Sequence, residues 1–197
     1  MCFWRSTASN VRSLAVYFYR FVSVFVMSRL TQYRYLQLFL VLMTFVGMGF
    51  ALLYLQGHLG LTPCPLCIFQ RIGLMVMGGF ALIAALWNPK SKIAKLILWL
   101  GSFAGIAWSM GVAARHVWLQ HLPPDQVPSC GPGLDYWLEA LPMKQVLHEV
   151  LAGSGECALV DWTFMGMSIP EQSLIFFGVL IAVHGLILWR IWRPISA

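Results

Sequence analysis

The chain has 197 residues, of which 59% are hydrophobic and only 10% charged, and its mean hydropathy is +0.75. A soluble domain carries roughly 45–50% apolar and 25% charged residues, so a soluble globular fold is excluded and an integral membrane protein of one domain is expected. The net charge of +6 does not point to nucleic acid, because the basic residues are dispersed at the ends of apolar runs and no basic cluster accompanies a recognition motif; anionic lipid head groups are the expected partner.

Residues 1–35 form a separate N-terminal segment. The stretch 11–30 is moderately apolar but is interrupted by Arg12, Arg20 and Arg29, and it shows neither the unbroken apolar run nor the A-x-A-like site of a cleavable signal peptide. It reads either as an interfacial helix or as an extension upstream of a start at Met27. Cys2, in this segment, is expected to be a free thiol.

A bilayer core about 30 Å thick needs about 20 apolar residues in a helix. Residues 36–55, 68–87, 93–118 and 174–192 meet or approach that length, which predicts an all-α membrane protein, a four-helix transmembrane bundle spanning residues 36–192. Ten glycines fall inside these spans (Gly47, Gly49, Gly73, Gly78, Gly79, Gly101, Gly105, Gly111, Gly178 and Gly185). Small residues let membrane helices approach closely, so packing is their expected role.

Charge sets the expected orientation. Of the 13 basic residues, Arg5, Arg12, Arg20, Arg29, Arg34, Lys90, Lys92, Lys95, Arg190 and Arg193 lie before the first helix, around the second connection or at the end of the fourth helix. These segments are therefore expected in the cytoplasm. All seven acidic residues (Asp125, Asp135, Glu139, Glu149, Glu156, Asp161 and Glu171) lie between the third and fourth helices. Both termini, including the tail 193–197, are then cytoplasmic, while the loops 56–67 and 119–172 face the other side with Cys64, Cys67, Cys130 and Cys157.

Four cysteines on an oxidising face can form two disulfides. Two structural staples are one reading. However, a C-x-x-C ring such as Cys64-Pro65-Leu66-Cys67 removes little chain entropy, and such motifs recur where a thiol must exchange readily, so this pair is read as redox-active. A four-cysteine zinc site usually presents two close pairs, whereas 26 residues separate Cys130 from Cys157, and c-type haem attachment needs His where Ile68 stands. No metal is expected.

Cys67 is expected at the start of the second helix, where free backbone amides and the helix dipole favour a thiolate. Arg71, four residues on, shares its helix face and could stabilise that thiolate or the oxygen of a bound ring; otherwise it snorkels to anchor the helix. His116 and Gln120 make a similar pair at the outer end of the third helix and could face the same pocket, or simply satisfy polar neighbours. His184, mid-helix, reads as an interhelical hydrogen-bond donor.

Cys130 stands in Pro128-Ser129-Cys130-Gly131-Pro132-Gly133, which has no capacity for regular structure and suits a thiol that meets a large partner. Downstream, Trp137-Leu138-Glu139-Ala140-Leu141 and Val146-Leu147 read as a short helix lying on the membrane surface. A Cys130–Cys157 disulfide closing a 28-residue loop, worth about 3 kcal/mol or slightly more, remains an alternative to redox exchange for this pair.

From about residue 30 to 192 the chain resembles the disulfide bond formation protein B family, DsbB, the quinone-linked thiol oxidases of the bacterial inner membrane. The likeness is specific at Pro63-Cys64-Pro65-Leu66-Cys67-Ile68-Phe69-Gln70-Arg71, at His116 and Gln120, and at Gly153-Ser154-Gly155-Glu156-Cys157 followed by Asp161-Trp162-Thr163-Phe164-Met165-Gly166. The resemblance implies that Cys130, paired with Cys157, accepts attack from a reduced thioredoxin-like periplasmic oxidant, DsbA, and that electrons pass to Cys64 and Cys67. It further implies that Cys67 lies against a quinone ring, ubiquinone or alternatively menaquinone, with Arg71 and His116 near the quinone oxygens and Cys64 exchanging with the loop pair. The long loop would then be periplasmic. Gln70 stands where the family commonly has glutamate, Arg115 beside His116 is atypical, and the segment before Met27 has no counterpart. Two other classes are a membrane anchor with structural disulfides and a vitamin K epoxide reductase-like enzyme; the latter places its C-x-x-C late in the bundle, whereas here it opens the second helix.

Overall fold

The computed structural model describes residues 32–123, 125–129, 134–160 and 162–193. The expectations for the N-terminal segment, Met27, Cys2, Cys130 and Asp161 lie outside these residues. Among the described residues, four helices are long and apolar enough to cross a bilayer: Tyr33–His58, Pro65–Trp87, Lys92–Gln120 and Ile169–Trp192. The chain is a multi-pass helical membrane protein.

The first span is α1 (Tyr33–Gly49) continued by a π-helical stretch, Phe50–His58. Most π-helix is a single-turn bulge, and it concentrates at functional sites; here it widens the end of the span that faces the cysteines. Helix α2 (Pro65–Trp87) opens with proline in its first turn and Cys64 as N-cap, a position where the missing proline N–H costs nothing. It stops at Asn88, whose left-handed conformation (φ 42°) suits asparagine, and Pro89 prevents continuation. Helix α3 is Lys92–Gln120.

Two short helices, α4 (Leu134–Ala140) and α5 (Met143–Ala152), and a 3-10 turn at Gly155–Ala158 follow. A minimal hairpin then pairs β1 (Thr163–Phe164) with antiparallel β2 (Met167–Ser168). Its turn residues, Met165 and Gly166, both have positive φ, as tight hairpins require. Helix α6 (Ile169–Trp192) starts earlier than position 174 because Ser168 and Glu171 form a reciprocal capping box, satisfying two otherwise free amides. Glu171 thus belongs to the helix and not to the loop.

The core between the four long helices is built on Leu40, Met77, Ala81, Ile106, Leu180 and Ile187, all fully buried. Outward-facing Phe45, Leu53 and Leu86 are at least 70% exposed, which is lipid-facing chemistry. Trp87 and Trp192 stand exposed at one end of the bundle and Trp118 at the other, matching the interfacial preference of tryptophan. Helices α2 and α3 cross most closely at Gly73 and Gly105. A Cβ on Gly105 would sit 2.6 Å from the Met77 backbone nitrogen and 2.7 Å from the Gly73 carbonyl oxygen. Gly47, Gly78 and Gly101 are likewise closely approached, whereas a Cβ on Gly49, Gly79, Gly111, Gly178 or Gly185 would meet nothing within 4 Å among the described residues. The packing role expected of all ten therefore holds for half.

His184 joins three helices, with Nε2 2.9 Å from the Ser102 hydroxyl and Nδ1–H donating to the Leu180 carbonyl of its own helix at 2.8 Å, so the neutral ring accepts between helices and does not donate as expected; Ser102 also reaches the Met77 carbonyl. The loop helices differ from expectation. Instead of presenting an apolar face to lipid, α4 and α5 bury Trp137, Val146 and Val150 against Leu66, Val112 and Leu119 at the ends of α2 and α3. The protein offers these side chains a closer-packed partner than the head-group region does.

Because backbone cannot yield as a flexible side chain does, Gly105→Val is expected to cost about 1–3 kcal/mol or more through overpacking, read as a lowered thermal midpoint in detergent. Gly111→Ala, in open space, is expected to be neutral or slightly stabilising.

Candidate functional site

The site is assembled where α2 begins and α3 ends. Cys64, as N-cap, accepts a hydrogen bond from the Cys67 backbone N–H at 3.4 Å, so its sulfur substitutes for the usual serine or aspartate oxygen. That places the two Sγ atoms 3.1 Å apart. Cys64, Cys67 and Cys157 stand as thiols.

His116 is buried beside the two sulfurs, its Nε2 3.9 Å from Cys64 and its Nδ1 3.9 Å from Cys67. The Gln70 amide nitrogen lies 3.3 Å from Nδ1. An amide N–H can only donate, so in this arrangement Nδ1 accepts and the ring proton sits on Nε2, facing Cys64. Gln70, only 5% exposed, is held in turn by Ser109, whose hydroxyl donates to the Gln70 carbonyl at 2.8 Å.

Cys157 reaches the same place from the loop. It is 1% exposed, packed among Leu66, Val112 and Leu119, with the Ser154 hydroxyl 3.7 Å from its sulfur. Arg115 fixes this segment: its guanidinium donates to the Leu151 and Ala152 carbonyls at 3.0 and 2.9 Å, the last carbonyls of α5, and stacks over Trp118. A cation at a helix C-terminus is also favoured by the helix dipole. The neighbouring Cys64 sulfur, and burial, push the Cys157 thiol well above the ordinary thiol range.

Two hollows meet at Cys67. The larger, about 330 Å³, is walled by Phe50, Ala51, Leu55, Leu74, Phe176 and Phe177, with Cys67, Gln70, Arg71, Gln172 and Ser173 supplying polar or reactive atoms. The smaller, about 60 Å³, holds Cys64, His116, Gln120 and Glu156 on the loop side. Cys67 and Arg71 line both. Arg71 donates to the Gln56 amide oxygen at 2.7 Å, and Gln56 is delivered there by the π-helical stretch.

Of the residues expected at a ring-binding pocket, Arg71 lines the large cavity, while His116 and Gln120 line only the small recess. His116 contacts the sulfurs themselves. Gln120 accepts from the Ser168 hydroxyl at 2.8 Å and donates to the Leu159 carbonyl at 3.4 Å, tying the end of α3 to the hairpin. Sequence reasoning missed Gln56 and Ser154, and it noted Gln70 and Arg115 only as departures from the resembled family, without their contacts. Gln56 was legible only as the polar residue ending an apolar run, and nothing in the spacing marked the other three as partners.

The walls of the large cavity are apolar and aromatic, and a cation, two amides and a hydroxyl also line it, the mix of surfaces that a small apolar ligand with a few polar atoms needs. The half-buried Cys67 sulfur borders the same space.

Comparison with known proteins agrees with this architecture. The model of the family described as disulfide bond formation protein DsbB matches residues 33–187. Proteins named disulfide bond formation protein B are similar to the chain. That of Psychrobacter cryohalolentis is 72% identical over 168 residues, covering 85% of this chain and 96% of that protein. That of Acinetobacter baumannii is 60% identical over 161 residues, covering 82% and 92%.

Since the Cys64 sulfur is the largest influence raising the Cys157 thiol, Cys64→Ala is expected to move the pH profile of Cys157 alkylation in the reduced protein downward, with a faster reaction near pH 8. Mass-spectrometric alkylation kinetics check this; an unmoved profile contradicts the contact.

Proposed function

The chain belongs to the DsbB family of disulfide-forming membrane redox proteins, and on that premise we propose that it reoxidises a periplasmic DsbA-like thiol oxidant and delivers the electrons to a membrane quinone. The observation that carries this reading is the line of three sulfurs: Cys157 on the loop lies beside Cys64, Cys64 is in contact with Cys67, and Cys67 borders the apolar cavity with Arg71. A loop able to meet a protein is thereby linked to a space able to hold a lipid-soluble ring.

In the oxidised enzyme each pair is a disulfide. A thiolate of the reduced partner attacks the Cys130 sulfur, the Cys130–Cys157 bond breaks, and the partner's second thiol resolves the mixed disulfide, leaving the partner oxidised and the loop pair as two thiols. Cys157 then attacks Cys64, releasing Cys67, and Cys130 closes on Cys157 to free Cys64. Two electrons and two protons have moved from the partner to the Cys64 and Cys67 dithiol. Deprotonation is needed for each attack; His116, in contact with both sulfurs, is the group placed to exchange a proton with them. When bound, a quinone supplies a two-electron, two-proton acceptor. Arg71, held by Gln56, would hold a ring oxygen, and the aromatic walls would exclude water.

The thermodynamics require such an acceptor. DsbA is a strong oxidant at about −120 mV, and 30 mV corresponds to about 1.4 kcal/mol in a two-electron couple, so a glutathione pool cannot drain it. Ubiquinone is the acceptor proposed, with menaquinone as the alternative. Sidedness follows from charge: the basic ends of the spans lie in the cytoplasm and the acidic loop with its cysteines in the periplasm, the arrangement of a bacterial inner-membrane protein.

Mixing the purified protein with a reduced DsbA-like substrate and a soluble quinone, and following quinone absorbance, tests the proposal. Wild type is expected to consume quinone and Cys67→Ala to consume none. Arg71→His is expected to raise the apparent KM for quinone roughly tenfold or more, the scale of one charged hydrogen bond. Undiminished consumption by Cys67→Ala contradicts the assignment.

A further inference from the structure

The side chains of Cys64, Cys67 and His116 offer three metal-ligating atoms within 4.8 Å of one another, partly or fully buried and drawn from two helices. We propose that the reduced form of this site binds a thiophilic divalent cation of the zinc class, and that occupation holds the Cys64 and Cys67 pair as a dithiolate, closed to oxidation. The site is independent of the electron acceptor; only the inhibition it entails rests on the oxidase reading. The 26-residue separation of Cys130 and Cys157 that argues against a four-cysteine centre has no bearing on this set, which uses one cysteine pair and a histidine that folding brings across 49 residues.

Three features fit. First, Zn–S bonds of about 2.3 Å and Zn–N bonds of about 2.0–2.1 Å at tetrahedral angles require ligand atoms about 3.5–3.8 Å apart. The observed separations are 3.1 Å between the sulfurs and 3.9 Å from the Cys64 sulfur to Nε2, and one ligand atom from each residue lies within 4.8 Å of the other two, so adjustments of about 1 Å suffice. Second, two thiols and an imidazole are the soft and borderline donors that select zinc-class ions over magnesium or calcium. Third, a metal-bound histidine ordinarily donates its other ring N–H to a carbonyl oxygen. Gln70 already stands 3.3 Å from Nδ1, and turning its terminal amide brings Oε1 to accept from Nδ1–H, leaving Nε2 free to ligate on the Cys64 side.

The binding step is not a redox reaction. Two thiol protons leave, two metal–sulfur bonds and one metal–nitrogen bond form, and the fourth position faces the recess. Because a disulfide has no thiolate to give, the oxidised enzyme lacks the site. Only the reduced protein is therefore open to capture, and removing the metal restores the dithiol unchanged.

The test is a cobalt(II) titration of the reduced full chain in detergent under anaerobic conditions after removal of reductant, on wild type and on a Cys130→Ser, Cys157→Ser variant in which the loop pair cannot contribute. Both are expected to develop thiolate-to-cobalt charge-transfer bands and tetrahedral ligand-field bands, to saturate at one equivalent, and to lose them on addition of zinc. His116→Ala is expected to weaken binding beyond the roughly 10–100-fold loss typical of removing a group that merely supports a ligand. Protein oxidised with diamide, which keeps the native chain, controls for folding and is expected to show no bands. Absence of the bands in reduced wild type, their survival in a Cys64→Ser, Cys67→Ser variant, or unchanged affinity in His116→Ala would each overturn the proposal.

Discussion

Helix α2 begins on a sulfur, and the rest of the site depends on that cap. A helix start leaves backbone amides without partners, and here Cys64 accepts one of them from Cys67. Proline at the next position presets the backbone for the first turn. The two cysteines are thus held on one turn with their sulfurs in contact, and everything that approaches the helix start approaches both. His116 comes from the end of α3 because α2 and α3 cross at Gly73 and Gly105, where no side chain keeps the backbones apart.

From that cap the two sulfurs face different surroundings. Cys64 lies on the loop side with His116 and the incoming Cys157, while Cys67 borders the apolar cavity together with Arg71. Under the proposed function, such an arrangement would separate protein exchange from lipid-soluble chemistry by a single turn of helix. The loop is held to this geometry by Arg115, through two hydrogen bonds to the end of α5, and by Gln120, bonded to Leu159 and Ser168.

Much of the fold was legible in the sequence because membrane spans are written in length and apolarity, which need no tertiary information. The helix ends were less so. Helix α6 starts at Ile169 because of the Ser168 and Glu171 box, a signal that apolar run length alone overlooks. The π-helical stretch was not legible at all, since no periodicity in the sequence marks it, and with it went the partnership of Gln56 and Arg71. Of the site, the Cys64 and Cys67 pair and Arg71 could be read from spacing, whereas the contact of His116 with both sulfurs depends on a helix crossing. The loop helices were read as membrane-facing because their pattern is amphipathic, and amphipathicity cannot say whether lipid or protein covers the apolar face. Cys130 lies outside the described residues, so its pairing remains part of the functional proposal.

The most direct measurement is photo-crosslinking of an azido-quinone to the full chain in membranes, followed by peptide mapping. Adducts confined to the residues around Cys67, the π-helical turn of the first span and the first turns of α6 are expected if the cavity beside Cys67 receives the ring. Adducts concentrated at the opposite end of the bundle, with none near Cys67 or Arg71, would contradict it.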